Sequence, residues 1–103
     1  MKKISTKFLP VTGGTITDIK VQLYYTDGGL GGKKGLYLSV SPVKREVTNG
    51  ITIESYGAYT GVKELVLPMA RYNEKKAFSF SIPADLESKM LDYVCNKNGL
   101  TLC

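Results

Sequence analysis

The stretch Lys33–Tyr59, KKGLYLSVSPVKREVTNGITIESYGAY, holds two alternating runs joined by an Asn-Gly pair. In LYLSVSPVKR, residues 36–45, Leu36, Leu38 and Val40 fall on one side and Tyr37, Ser39 and Ser41 on the other. A period of two marks a half-buried strand. Pro42 cannot donate a ladder hydrogen bond, so a bulge, bend or edge is expected there. Asn49-Gly50 suits a two-residue hairpin turn, because both residues tolerate the positive φ that such a turn demands. Beyond it, Ile51, Ile53 and Ser55 oppose Thr52, Glu54 and Tyr56 in a return strand. The rest of the chain must finish a sheet around this hairpin and cover one of its faces.

Upstream, ITDIKVQLYYT (16–26) alternates as cleanly. Ile19, Val21, Leu23 and Tyr25 share one face; Asp18, Lys20, Gln22 and Tyr24 share the other. Residues 1–15 read as a basic tail ending in the turn-rich PVTGG, with at most a short edge strand around Ile4, Phe8 and Leu9. Residues 27–35, DGGLGGKKG, form a glycine-rich connector. Its Gly-Lys pair invites comparison with a phosphate-binding P-loop, but Asp27 stands where that motif needs Gly and Lys34 where it needs Ser or Thr. A strand follows, not the helix whose N-terminus holds the phosphates.

Downstream, GAYTG (57–61) breaks the pattern and Lys63–Met69 resumes it, with Leu65, Leu67 and Met69 read as core. Arg71–Lys76 reads as a polar hairpin loop. AFSFSI (77–82) reads as a further strand with Phe78, Phe80 and Ile82 inside. Pro83–Asn98 is the one helix expected. Pro suits a first turn, Ser81 is a candidate cap, Asp85 and Glu87 lie early and Lys97 late, in keeping with the helix dipole. Leu86, Met90, Tyr93 and Val94 form its apolar face, widened by Leu91 and Cys95. Asn98-Gly99 gives the stop, with Leu100 placed for the contact of a glycine C-cap.

At 103 residues the chain is long enough for one core. The expected class is α+β: a curved antiparallel sheet of five strands, six with the N-terminal edge strand, in a meander followed by one C-terminal helix packed on one face. Residues 1–15 form the tail and 16–103 the single domain.

The net charge is +5, and it is uneven: residues 1–45 carry eight Lys/Arg against two acids, and residues 46–103 six against seven. The basic half favours a polyanionic partner. There is no His, which removes the commonest general base and the commonest metal ligand together. Two Cys, Cys95 and Cys103, cannot complete a four-ligand zinc site. They read as a helix thiol and a free chain-end thiol, usage that fits a reducing cytoplasm. No cofactor and no catalysis are expected. No run approaches the roughly 20 apolar residues of a membrane span.

Seven of the ten aromatic residues are Tyr. If the helix covers the Leu36/Leu38/Val40 face, then Lys20, Tyr24, Tyr37 and Tyr56 lie on the open one. Lys33, Lys34, Lys44, Arg45, Lys75 and Lys76 then sit in loops or at strand ends around it. Aromatic platforms for bases inside a cationic rim are the means by which single strands of DNA or RNA are held. The bland alternative is that these tyrosines are good strand residues and the lysines keep the protein soluble.

The order of elements, with GLYLSVSPV as a central strand, resembles the β-β-β-β-α unit of the Pur-alpha and Whirly-type single-stranded nucleic-acid-binding proteins. KGLYLSVSPV and NGITIESYGAYTGVKELVL also resemble segments of small proteins encoded on phage or other mobile elements of gut bacteria. The resemblance implies binding of single-stranded DNA or RNA on the open sheet face, through Tyr37 and the Lys33/Lys34 pair, by dimers or higher assemblies; a homodimer is the expected state. An equally small phage protein of this kind can instead be an inhibitor, such as an anti-CRISPR, that occludes a host protein complex.

Overall fold

The computed structural model describes residues 1–29, 32–57 and 59–103. Leu30 and Gly31 of the glycine-rich connector and Ala58 of the GAYTG break lie outside the described residues. Six strands and two helices follow one another: β1 (Lys2–Thr12), β2 (Asp18–Thr26), β3 (Gly35–Thr48), β4 (Ile51–Ser55), β5 (Val62–Pro68), α1 (Glu74–Ser79), α2 (Ala84–Asn98) and β6 (Thr101–Leu102). All strand pairs are antiparallel, the sheet is open, and both helices pack on the same face of it. The α+β class and the C-terminal helix are as the sequence pattern predicts.

β3 is the axis of the sheet. Its 14 residues pair with β2 along one edge, while the other edge is shared end to end by β5 and β4. β5 takes Gly35–Val40 and β4 takes Lys44–Thr48. The sheet order is therefore β4-β3-β2-β1-β6 with β5 beside β4 on β3, a departure from a simple meander. Because β2 reaches only Val43, the β3–β4 hairpin runs on past the sheet as an arm. Asn49 (φ 52) and Gly50 (φ 77) close it with the two positive-φ residues that a type I′ turn needs.

The core follows the alternation. Ile19, Val21 and Leu23 of β2 lie beside Leu36, Leu38 and Val40 of β3, all at most 2% exposed. Met90 and Val94 of α2 press onto Ile19, Val21, Leu38 and Val40, with Leu86, Leu91 and Cys95 flanking them. Burying side chains of this size stabilises by roughly 1.5–3 kcal/mol each, so this stripe decides which way the sheet faces. Tyr93, expected on the same stripe, is instead half exposed, at the rim between α2 and β5. Gly35 (φ 154) lies so close to β5 that a Cβ there would run into the Leu67 carbonyl. Asn98 locks the end of α2 to the Thr60 backbone, accepting from its N–H at 2.9 Å and donating to its carbonyl at 2.8 Å.

Four expectations are corrected. Residues 2–12, read as a tail with at most a short edge strand, form β1, an 11-residue strand paired with β2 along residues 2–10 and with β6 only at Val11 and Thr12. AFSFSI is not a strand. Residues 74–79 are α1, capped by Asn73, whose side chain accepts from the Lys76 N–H, and anchored by the buried Ala77. Phe80 and Ile82 still reach the core from the extended segment after α1, but Phe78 is 58% exposed. In β5, Val66 is an extra residue opposite the Leu36/Tyr37 junction. That bulge turns Leu65 to the face of Tyr37 and leaves Val66 and Leu67 packed on the core. Finally, Ser81 does not cap α2; the N-cap is Pro83, which has no side-chain capping bond.

Candidate nucleic-acid interface

Register fixes what the uncovered face presents, since cross-strand neighbours share a face. Three rows run across the strands. The first joins Phe8 of β1, Lys20 of β2 and Ser41 of β3. The second joins Thr6, Gln22, Ser39 and Lys63, and the third joins Lys3, Tyr24, Tyr37 and Leu65. A bulge at Ile4 sets the last row, because it restores the pairing of Lys3 with Tyr24.

The Phe8 end of this face is occupied by its own side chains. Lys20 Nζ donates to the Tyr56 hydroxyl at 2.9 Å and to Glu54 at 3.3 Å. Only 14% of its side chain is exposed. The hydrogen bond to Tyr56 raises the Lys20 pKa above its ordinary value; burial opposes the shift and Glu54 adds to it. The Arg45 guanidinium lies 3.9 Å from the centre of the Phe8 ring and 3.9 Å from the Asp18 carboxylate. Lys20, Arg45 and Tyr56 therefore join the base of the arm to the sheet. Each cation has a carboxylate within reach.

The other end is open. The Tyr24 and Tyr37 rings run nearly parallel, 18° apart, with centroids separated by 6.0 Å. They line a surface concavity of about 400 Å³ with Met1, Thr26, Gly28, Gly32 and Lys63. Tyr37 donates its hydroxyl to the Lys33 carbonyl at 2.7 Å, which ties the end of the glycine connector to the platform. Lys63 Nζ stands 6.0 Å from the centre of the Tyr37 ring. Burial, then the neighbouring Tyr37, raises the Tyr24 phenol above its ordinary pKa. Among the described residues, Lys3, Lys33, Lys34 and Lys63 pair with no carboxylate.

The ten expected site residues thus separate. Lys20, Tyr24, Tyr37, Arg45 and Tyr56 share the open face; Lys33 and Lys34 stand at the tyrosine end of it. Lys44, next to Arg45 in the strand, points to the other side and pairs with Glu46 at 2.8 Å. Lys75 and Lys76 are on α1, in the helical layer, so they do not rim the open face. Three open-face residues are additions: Lys3, Phe8 and Lys63. Phe8 and Lys3 were hidden by reading residues 1–15 as a tail. The alternation of Thr6 and Phe8 against Lys7 and Leu9 signals Phe8; Lys3 reaches the same face only through the bulge at Ile4, which local alternation does not show.

Among the described residues no three His, Cys, Asp or Glu side chains come close enough to hold a metal ion. No described helix is long and apolar enough to cross a membrane. No protein-family profile, curated protein or solved structure matches the chain.

Proposed function

We propose that the protein binds single-stranded nucleic acid on the open sheet face, at its tyrosine end, without catalysing a reaction. The observation that carries this reading is the Tyr24–Tyr37 pair, two near-parallel rings in an open concavity that is also lined by Lys63, a lysine that pairs with no carboxylate. Aromatic faces accept any base, and lysines meet the phosphates on either side. Lys3 and Lys63 flank the rings along the sheet, and Lys33 and Lys34 stand at the connector. The Phe8–Arg45 and Lys20–Tyr56–Glu54 contacts act as scaffold, because their cations are already neutralised.

Fluorescence anisotropy with a labelled oligothymidylate or oligouridylate across a salt series tests the reading. The expected result is binding that weakens steeply with salt, since each phosphate neutralised contributes to the slope of log K against log salt. Absence of binding to both at low salt contradicts it.

A further inference from the structure

Four strands of the sheet, β1 over residues 2–10, β4, β5 and β6, have an edge with no partner strand among the described residues. Edge strands invite pairing with another chain unless charge, Pro or shortness blocks it. β1 carries Lys2, Lys3, Lys7 and Pro10 along its free stretch, β5 carries Lys63 and Glu64 and ends at Pro68, and β6 has two residues. β4, Ile51–Ser55, has neither Pro nor Lys, and all five of its residues are exposed. Ile51 is 65% and Ile53 48% exposed, with Val47 of the neighbouring strand at 74%. The charges of the arm are matched within the chain: Lys44 with Glu46, Glu54 with Lys20 and Arg45 with Asp18. A chain of net charge +5 therefore presents here an edge that does not repel its own copy.

The turn fixes which backbone groups of this edge are free. A two-residue turn at Asn49-Gly50 makes Thr48 and Ile51 a hydrogen-bonded pair, and the ladder alternates from there. Glu46–Ile53 and Lys44–Ser55 are then also hydrogen-bonded pairs, so the N–H and C=O of Thr52 and Glu54 point away from β3.

We propose that β4 pairs antiparallel with β4 of a second copy, about a two-fold axis centred on Ile53. This register sets Thr52 of each copy opposite Glu54 of the other and satisfies the outward groups with four backbone hydrogen bonds. Ile53 then meets Ile53 of the second copy at the close, non-hydrogen-bonded spacing. Shifting the axis to Glu54 opposes two carboxylates, and shifting it to Thr52 replaces Ser55 with Gly50 of the turn. The isologous geometry extends one sheet through both copies. This inference is independent of the nucleic-acid reading.

Light scattering on a concentration series of the full chain should show a monomer–dimer equilibrium. Thr52→Pro removes an outward N–H without touching the β3 ladder, and should weaken dimerisation by about tenfold or more. In a Cys103→Ser background, Ile53→Cys should oxidise to a symmetric disulfide, mapped by mass spectrometry, much faster than Ile51→Cys. Wild-type protein that stays monomeric throughout overturns the proposal. So does a dimer that Thr52→Pro leaves intact, or equal cross-linking at positions 51 and 53.

Discussion

Lys20 shows how one side chain settles the geometry of a strand end. Its ammonium bridges β2 to Tyr56 and Glu54, 36 and 34 residues away, so the arm leaves the sheet at a fixed angle. Lys20→Met keeps the aliphatic stem but removes both bonds. It should lower stability by about 1 kcal/mol, a charge-assisted contact discounted for its partial exposure. The pH dependence has a definite sign. The folded-state pKa is raised, so the Lys20 contribution is full below its ordinary value of 10.5 and is lost as pH rises through the folded value. The wild-type advantage over Lys20→Met in chemical denaturation should therefore be constant near neutrality and shrink in strong alkali. An advantage that grows with pH contradicts the assignment. The alternation of ITDIKVQLYYT placed Lys20 on the open face. It carried no information about the partners, because periodicity reports orientation and not what lies across the sheet.

Among the elements, α1 is where pattern reading failed. AFSFSI alternates, and a period of two over six residues also fits a helix end followed by extended chain. The competing signal was Asn73 before Glu74, an N-cap followed by an acid in the first turn. Asn73→Ala should lower the thermal stability by about 1 kcal/mol, through loss of the bond to the Lys76 N–H. An unchanged unfolding midpoint would show that Ala77 packing alone holds α1. By contrast, β2, β3 and the Asn49-Gly50 turn were legible residue by residue, since one face of each strand is buried and a slip would turn every side chain over. β5 was legible as a strand but not in its facing. A bulge such as that at Val66 depends on Tyr37 and Leu36 of β3, which a local pattern does not see.

At the scale of the molecule, the sheet divides labour between its faces. One carries α1, α2 and both apolar clusters. The other carries the tyrosine platform at one end and the braced base of the arm at the other. Sequence composition foresaw the open aromatic face, but it grouped every Lys pair around it. Topology separates them: Lys63 stands beside Tyr37, and Lys75 and Lys76 stand on the helical layer. Position on the sheet, not charge alone, then decides which lysines meet a phosphate. Oligonucleotide anisotropy should be measured on wild-type protein, on Tyr37→Ala/Lys63→Ala, and on Lys75→Ala/Lys76→Ala, with unfolding midpoints taken in parallel. The open-face pair should weaken binding by about tenfold or more, through loss of stacking and a phosphate contact. The α1 pair should change it by no more than about threefold, because its charges act only through screened distance. Weaker binding by the α1 variant than by the open-face variant, with both folded, would contradict this placement.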